Sequence, residues 1–108
     1  MTQRGGNTTT YTGAVDNAVY PVTVTVASQS FEDLIGTALN ADAEQVEIVN
    51  QGGATVFYQA DATAAVVADL PIPTNSTYVC VGGKDELDRA QLIAAGNVAI
   101  HLIERITR

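Results

Sequence analysis

The side chains that could carry out chemistry are few in this sequence, and they do not form a recognisable constellation. His101 is the single histidine. A catalytic imidazole needs a nucleophile or a carboxylate partner, and a metal site needs further ligands, but no pattern marks either. Cys80 is the single cysteine, which excludes an internal disulfide and a multi-cysteine zinc site. We therefore interpret His101 as a structural histidine on a strand face and Cys80 as a small buried side chain.

Three polar segments resemble binding motifs only in part. Gly82-Gly83-Lys84 is similar to the end of a phosphate-binding loop, but Asp85 follows where that motif requires Ser or Thr, so we predict a turn. Of the acidic groups at 42–47 and 85–88, the second lacks the alternation and the terminal Glu of a calcium loop. Both are interpreted as solvated carboxylates, with a weak cation site as the alternative for the first group. The sequence thus predicts no catalytic residue, no cofactor and no metal site, and we expect a protein that is not an enzyme.

The charge balance limits the partners of this chain. Its 12 acidic and 5 basic residues give a formal net charge of −7, which disfavours nucleic acid because phosphate contacts need Lys and Arg. Charged residues make up 16% of the chain, below the roughly 25% typical of soluble domains, which indicates a surface partly covered in an assembly. The sequence shows no signal segment and no membrane-spanning apolar run, so we expect assembly in the cytoplasm and no membrane partner.

Residues 43–60 carry the strongest hairpin signal. Two β-rich apolar runs flank Gly52-Gly53, and paired glycines readily adopt the positive φ angles of tight hairpin turns. Such a ribbon has apolar side chains on both faces, so it must be sandwiched inside a domain or between subunits. The predicted cross-strand pairs are Val49 with Val56 and Ile48 with Phe57.

The remaining patterns predict further strands and one helix. Alternating Val and Thr residues predict a strand at 20–27. Apolar residues three and four positions apart predict a short helix at 28–40, which Ser30 and Asp33 begin as a capping box. Further strands are predicted at 77–81, 90–95 and 98–106, with a loop or irregular edge strand at 61–69, an extended segment at 70–75 and a charged turn at 84–88. Both faces of the last strand carry apolar side chains.

These elements predict a mainly β fold, which is an antiparallel β-sandwich or jelly-roll-like barrel with one short helix. Residues 19–108 would form this domain. Residues 1–18 are rich in Gly, Asn and Thr without strand or helix patterning, and we expect an extended N-terminal arm that becomes ordered against a partner. Basic residues concentrate near the C-terminus and form a second candidate contact edge. The candidate partner-binding residues are Arg4, Tyr11, Val15, Tyr20, Arg105 and Arg108.

The order of these segments resembles that of a known group of virion proteins. It consists of the strand-turn-strand VEIVNQGGATVFYQAD, the proline-containing turn and strand LPIPTNSTYVCVGG, and the closing segment KDELDRAQLIAAGNVAIHLIERI. The pattern covers residues 19–106 and is similar to small β-sandwich virion proteins of tailed bacteriophages, including head decoration (cement) proteins. The helix-like segment at 28–40 departs from that pattern and leaves the topology of the sandwich open.

The resemblance implies a homo-oligomeric accessory protein, most often a trimer. Such a protein binds the major capsid protein on the outer head surface and stabilises contacts between capsid subunits, so its location would be the virion. Two other functions remain open. One is a tail, neck or fibre component, and the other is a glycan-binding module, which would require Tyr20, Tyr58 and Tyr78 to share one face.

Overall fold

The computed structural model describes residues 15–61 and 69–107, which form two antiparallel β-sheets packed face to face. The predicted β-sandwich is therefore confirmed. In chain order the elements are β1 (Val15–Val24), β2 (Gln29–Ser30), α1 (Phe31–Ile35), β3 (Ala43–Asn50), β4 (Val56–Gln59), β5 (Leu70–Ile72), β6 (Ser76–Val81), α2 (Lys84–Leu87), β7 (Gln91–Ala94) and β8 (Val98–Thr107).

The two sheets differ in size, and we name them by it. The large sheet has the strand order β1-β8-β3-β6, and the small sheet has the order β2-β7-β4-β5. Their inner faces enclose one apolar core, as expected when successive side chains point to opposite sides of a strand. The two faces of the last strand are confirmed, because Val98, Ile100 and Leu102 are buried whereas Ala99 and His101 are exposed.

The first strand extends further toward the N-terminus than the sequence indicated. β1 begins at Val15 rather than at residue 19 or 20, and it pairs with β8 along its whole length. Pro21 lies in the middle of β1, which is tolerated because β1 is an edge strand and its outer side needs no hydrogen-bond partner. Residues 15–18 therefore belong to the sheet and not to an arm. The rest of the expected arm, residues 1–14, lies outside the described residues.

The helix is confirmed in position and cap, but the prediction of 28–40 was too long. Ser30 accepts a hydrogen bond from the Asp33 N–H at 3.1 Å, and Asp33 accepts one from the Ser30 N–H at 3.4 Å, which completes the capping box. The helix stops at Ile35 because Gly36 adopts a left-handed conformation with φ of 81°. β2 occupies part of the segment that was assigned to the helix.

Two carboxylates explain why the chain beyond Gly36 does not continue as a helix. The N–H of Leu39 donates to Glu32 Oε2 at 2.8 Å, and the N–H of Asn40 donates to Glu104 Oε2 at 2.6 Å. In a longer helix these N–H groups would bond to main-chain carbonyls four residues earlier. Side-chain acceptors thus replace the helical bonds, and Leu39 still reaches the core.

The predicted hairpin at 43–60 is wrong. β3 lies between β8 and β6 in the large sheet, whereas β4 lies between β7 and β5 in the small sheet. Val49 pairs with residues of β6 and β8, and Val56 pairs with residues of β5 and β7, so the expected pairs do not form. Neither Gly52 nor Gly53 has a positive φ. Residues 51–55 therefore cross from one sheet to the other.

Asn50, the last residue of β3, fixes this crossing. Its side chain is fully buried, and Nδ2 donates to the carbonyls of Ala54 and Ile72, both at 2.9 Å. Its Oδ1 accepts a hydrogen bond from the N–H of Gly52 at 3.0 Å. These bonds satisfy the polar groups of the crossing and join the end of a large-sheet strand to β5 of the small sheet, so a two-residue hairpin turn is not needed.

The other expected segments are close to their observed positions. The strands predicted at 77–81, 90–95 and 98–106 correspond to β6, β7 and β8, and the charged turn at 84–88 contains the single turn of α2. The extended segment at 70–75 contains β5, which the sequence did not identify as a strand because two prolines lie within it. Residues 62–68 of the predicted loop lie outside the described residues.

Candidate functional site

The structure places the six candidate partner-binding residues in different settings. Arg4, Tyr11 and Arg108 lie outside the described residues. Val15 is the first residue of β1 and lies opposite the C-terminal end of β8. The two remaining candidates, Tyr20 and Arg105, sit on opposite faces of the large sheet. The six residues are therefore not brought together as one described site.

Tyr20 faces inward, at the edge of the core. Its ring packs against the core, and its hydroxyl donates to Glu104 Oε1 at 3.4 Å. Glu104 is itself buried and also accepts the N–H of Asn40. Burial and the charge of the Glu104 carboxylate raise the pKa of Tyr20 above its ordinary value. Tyr20 and Glu104 thus hold the loop after α1 against the large sheet.

Arg105 faces outward and is neutralised within the sheet. Its Nε donates to Glu47 Oε2 on the neighbouring strand β3, and the two side chains are only 15% and 14% exposed. Since both charges are already paired and largely out of water, covering them with a partner would cost little further desolvation. Arg105 therefore contributes no unbalanced positive charge to the surface.

Arg105 belongs to a surface that carries three of the five exposed large apolar side chains of the described residues, and we call this surface the outer face. It consists of the odd-numbered residues of four strands, 19–23 in β1, 45–49 in β3, 77–81 in β6 and 99–105 in β8. Val19, Val79 and Val81 on this face are 57%, 42% and 75% exposed. Exposed branched apolar side chains that are grouped on one face of a β-sheet make that face a candidate interaction surface.

The sequence predicted only part of this surface. The apolar outer side of the last strand was expected, whereas the contribution of β6 was not, because the alternating run around Cys80 was used only to predict that Cys80 is buried. The missed consequence of this alternation is that a strand whose Cys80 faces the core must present Val79 and Val81 outward.

His101 is exposed near the middle of the outer face. Its neighbours across the strands are Pro21 in β1 and Val49 in β3, so no carboxylate or nucleophile lies opposite it. Within residues 15–61 and 69–107, no group of three or more His, Cys, Asp or Glu side chains is arranged to hold a metal ion.

Gly82-Gly83-Lys84 forms the start of α2. The N–H of Gly83 donates to Glu86 Oε1 at 2.8 Å, and Lys84 Nζ lies 3.3 Å from Glu32 and 2.6 Å from Asp88. Lys84 thus connects α1 to α2 and is occupied by two carboxylates. The segment borders a shallow open depression and not a deep pocket.

The three tyrosines considered for a sugar platform do not share an outer face. Tyr58 and Tyr78 lie together between the sheets, with ring centroids 5.0 Å apart, and both pack against the core. Tyr20 is on β1, at the opposite edge of the large sheet from Tyr78 on β6. The arrangement therefore gives a glycan no flat stack of three rings.

Burial changes the acidity of the groups around this tyrosine pair. It raises the pKa of the Cys80 thiol to about 11, although a hydrogen bond with Tyr58 acts in the opposite direction. Burial, together with the same hydrogen bond, raises the pKa of Tyr58 well above its ordinary value. Cys80 is thus a buried neutral thiol and not a reactive thiolate, as the sequence predicted.

We expect alkaline pH to destabilise the protein through Cys80. The unfolded thiol loses its proton near pH 9, whereas the folded thiol keeps it up to about pH 11. The contribution of Cys80 to the free energy of unfolding is therefore fully present below pH 9 and is lost as the pH rises from 9 to 11. Between pH 8 and pH 10.5 this loss is about 2 kcal/mol. Urea unfolding of the parent and of Cys80→Ala at both pH values measures it. The variant should keep only the smaller losses from Tyr58 and Tyr20, whose pKa values are also raised, and equal losses in the two proteins would contradict the assignment.

Neither helix of the described residues has the length or apolar character needed to cross a lipid bilayer. Comparisons of the chain with protein-family models, with curated proteins and with solved structures gave no match.

Proposed function

We propose that this protein is a non-enzymatic structural component of a virion, which decorates and stabilises the head of a tailed bacteriophage. The observation that carries the proposal is the outer face. It spans all four strands of the large sheet, and its only two oppositely charged side chains, Glu47 and Arg105, neutralise each other. A domain that leaves such a face uncovered is suited to work inside an assembly rather than alone.

The remaining charges support the same interpretation. Every basic side chain among the described residues is close to a carboxylate: Lys84 to Glu32 and Asp88, Arg89 to Glu86, and Arg105 to Glu47. The described domain therefore offers no surplus cation for nucleic acid or for an anionic lipid surface. What it offers to a partner is apolar strand surface with exposed carboxylates beyond one end, at Asp42, Glu44 and Asp85.

The stabilising effect would arise by mass action. A protein that binds the assembled shell, and not the separated capsid subunits, adds its binding free energy to the stability of the shell. A shell repeats the same site many times, so a modest affinity per copy is multiplied over the whole particle. This requires binding surfaces and no catalytic group.

The experiment that tests this function is co-sedimentation. Empty shells, assembled from the major capsid protein encoded in the same genome, are mixed with the purified chain and separated on a density gradient. We expect the chain to migrate with the shells and to raise the temperature at which they fall apart. Migration with purified tails, and not with shells, would assign the chain to the tail, neck or fibre and would overturn the head assignment.

Removing residues 1–14 should separate shell binding from folding. The deletion leaves β1 complete, because that strand begins at Val15, whereas a deletion through residue 18 would also remove strand residues. We expect the shortened chain to keep its circular dichroism spectrum and unfolding midpoint and to bind shells at least roughly tenfold more weakly.

The matched control replaces residues 1–14 by a Gly/Ser segment of equal length. It should bind as weakly as the deletion, because the effect depends on the side chains of the segment and not on its length. Full shell binding by the shortened chain would contradict the role of this segment as a contact arm.

A further inference from the structure

We propose that the outer face binds the same face of a second copy of this chain, so that two sandwiches pair across a twofold axis. The inference rests on the proposed function only in treating the outer face as a docking surface. It goes further by naming the occupant. Three properties of the face support it: shape, charge and area.

The shape of the face suits another sheet. The outer face is one side of four strands in continuous antiparallel register, in which Val19, Ile103, Glu47 and Val79 form one row from edge to edge. A pleated surface of this kind packs best against a second pleated surface at about 10 Å, as the two sheets of a sandwich do. The outer face of another copy provides such a partner.

The charge of the face meets the requirement for self-pairing. In a twofold interface each patch meets an identical patch, so any net charge on it is repelled by its own copy. On the outer face Glu47 and Arg105, its only acidic residue and its only Lys or Arg, are paired and mutually neutral. The same pair is mostly shielded from water, so its desolvation on pairing is largely complete already.

Other surfaces of the described chain do not meet this requirement. Beyond the end of the outer face, at the start of β3 and around α2, lie the exposed carboxylates Asp42, Glu44 and Asp85. Two copies of a chain with net charge −7 would repel each other through such regions. The outer side of the small sheet is limited by its strands, which are two to four residues long. The outer face is therefore the surface on which two copies can meet.

The area predicts a weak pair. Four strands at about 4.8 Å spacing, with about 3.4 Å per residue over the stated segments, give a footprint of roughly 400 Å² per copy. Two copies would bury roughly 800 Å² in total, which is the size of a weak or transient interface. We therefore expect a dimer with a dissociation constant on the order of micromolar, which is formed at high concentration and lost on dilution.

Analytical ultracentrifugation of the full chain, without shells, tests the proposal. The parent should shift from monomer to dimer as its concentration rises. Val19→Asp and Val79→Asp place a charge at either end of one row, and each interface then contains two such charges. If each of the two charges in an interface weakens association tenfold, the dissociation constant of either variant should rise roughly 100-fold. Val26→Asp is the matched control, because Val26 is 66% exposed but lies outside the outer face, in the link after β1.

All three valines are already exposed, so the folded state should tolerate the substitutions, which circular dichroism checks. If Val19→Asp or Val79→Asp does not fold, Val81→Asp at the most exposed valine replaces it. A monomer at every concentration, a trimer, or a dimer that Val19→Asp and Val79→Asp leave unchanged would overturn the proposal. A monomer that still binds shells would overturn only the dimer, whereas a dimer that ignores shells would overturn only the decoration function.

Discussion

Replacement of Asn50 by Asp should destabilise the protein by about 4 kcal/mol or more, a large share of the roughly 5–15 kcal/mol that holds a small domain folded. The substitution hardly changes the shape of the side chain. It removes both Nδ2 donors, which leaves the carbonyls of Ala54 and Ile72 without their partner. It also places a carboxylate beside these two carbonyl oxygens at a position that is 0% exposed.

The size of the effect follows from burial. The carbonyl of Ile72 is a buried acceptor, and leaving it without a donor costs about 1–3 kcal/mol, whereas the carbonyl of Ala54 is only partly buried and costs less. An uncompensated buried charge costs several kcal/mol more unless it takes up a proton. Asn50→Ala removes the donors without adding a charge, so it should cost less, about 3 kcal/mol. Burial raises the pKa of the introduced carboxyl, so the folded variant favours its protonated form. The destabilisation by Asn50→Asp should therefore be smaller at pH 4 than at pH 7.

Urea unfolding followed by circular dichroism measures these differences. Asn75→Asp is the matched control, because it makes the same chemical change at an exposed residue whose φ of 65° Asp tolerates as Asn does. It should alter stability by less than about 0.5 kcal/mol. If Asn50→Asp were as mild as this control, the side chain of Asn50 would not hold the crossing between the sheets.

Asn50 also shows which part of the fold the sequence could predict. Local patterns were sufficient for single elements: the capping box of Ser30 and Asp33 located the start of α1, and period-2 alternation located β6 and β8. These signals depend on residues a few positions apart. Which strand pairs with which depends on residues that are far apart in the chain. Paired glycines beside apolar runs therefore indicate a hairpin even in a chain where a buried side chain holds a crossing between sheets instead.

The same limit explains the end of α1. The apolar spacing continued through Leu39, which is indeed buried, but the spacing does not reveal where the N–H groups of that segment find acceptors. Glu104, 64 residues further along the chain, provides one of them. No pattern in a single sequence connects Asn40 with Glu104, so the length of the helix could not be predicted locally.

The candidate surface was predictable to a similar extent. Apolar residues on both sides of the last strand and the low content of charge indicated that something covers the sandwich. The neutral pairing of Arg105 with Glu47 was not predictable, because it depends on β3 and β8 being neighbours. Arg105 was expected to contact a partner through its charge, whereas the structure places that charge in a pair within the sheet.

Replacement of Gly52 by Ala should destabilise the protein by about 2–3 kcal/mol, while Gly53→Ala should be neutral or stabilising by about 0.5 kcal/mol. A Cβ on Gly52 would lie 2.7 Å from the carbonyl oxygen of Ala99 and 2.7 Å from Val98 Cγ1 at the start of β8. The first of these atoms is main chain within a sheet, so it cannot move aside as a flexible side chain would. A Cβ on Gly53 would meet nothing within 4 Å.

This pair of variants distinguishes the crossing from a hairpin, because the two arrangements require glycine at these positions for different reasons. A type I′ hairpin turn, which the paired glycines indicate, would need positive φ at both positions, and both substitutions would then be costly. In the crossing, neither glycine has positive φ, and only Gly52 approaches another strand closely. The difference between the two unfolding free energies, measured in urea, should be at least about 2 kcal/mol. Equal destabilisation by both variants would contradict the crossing, since Gly53 has open space around it and can be harmed only by a strained backbone.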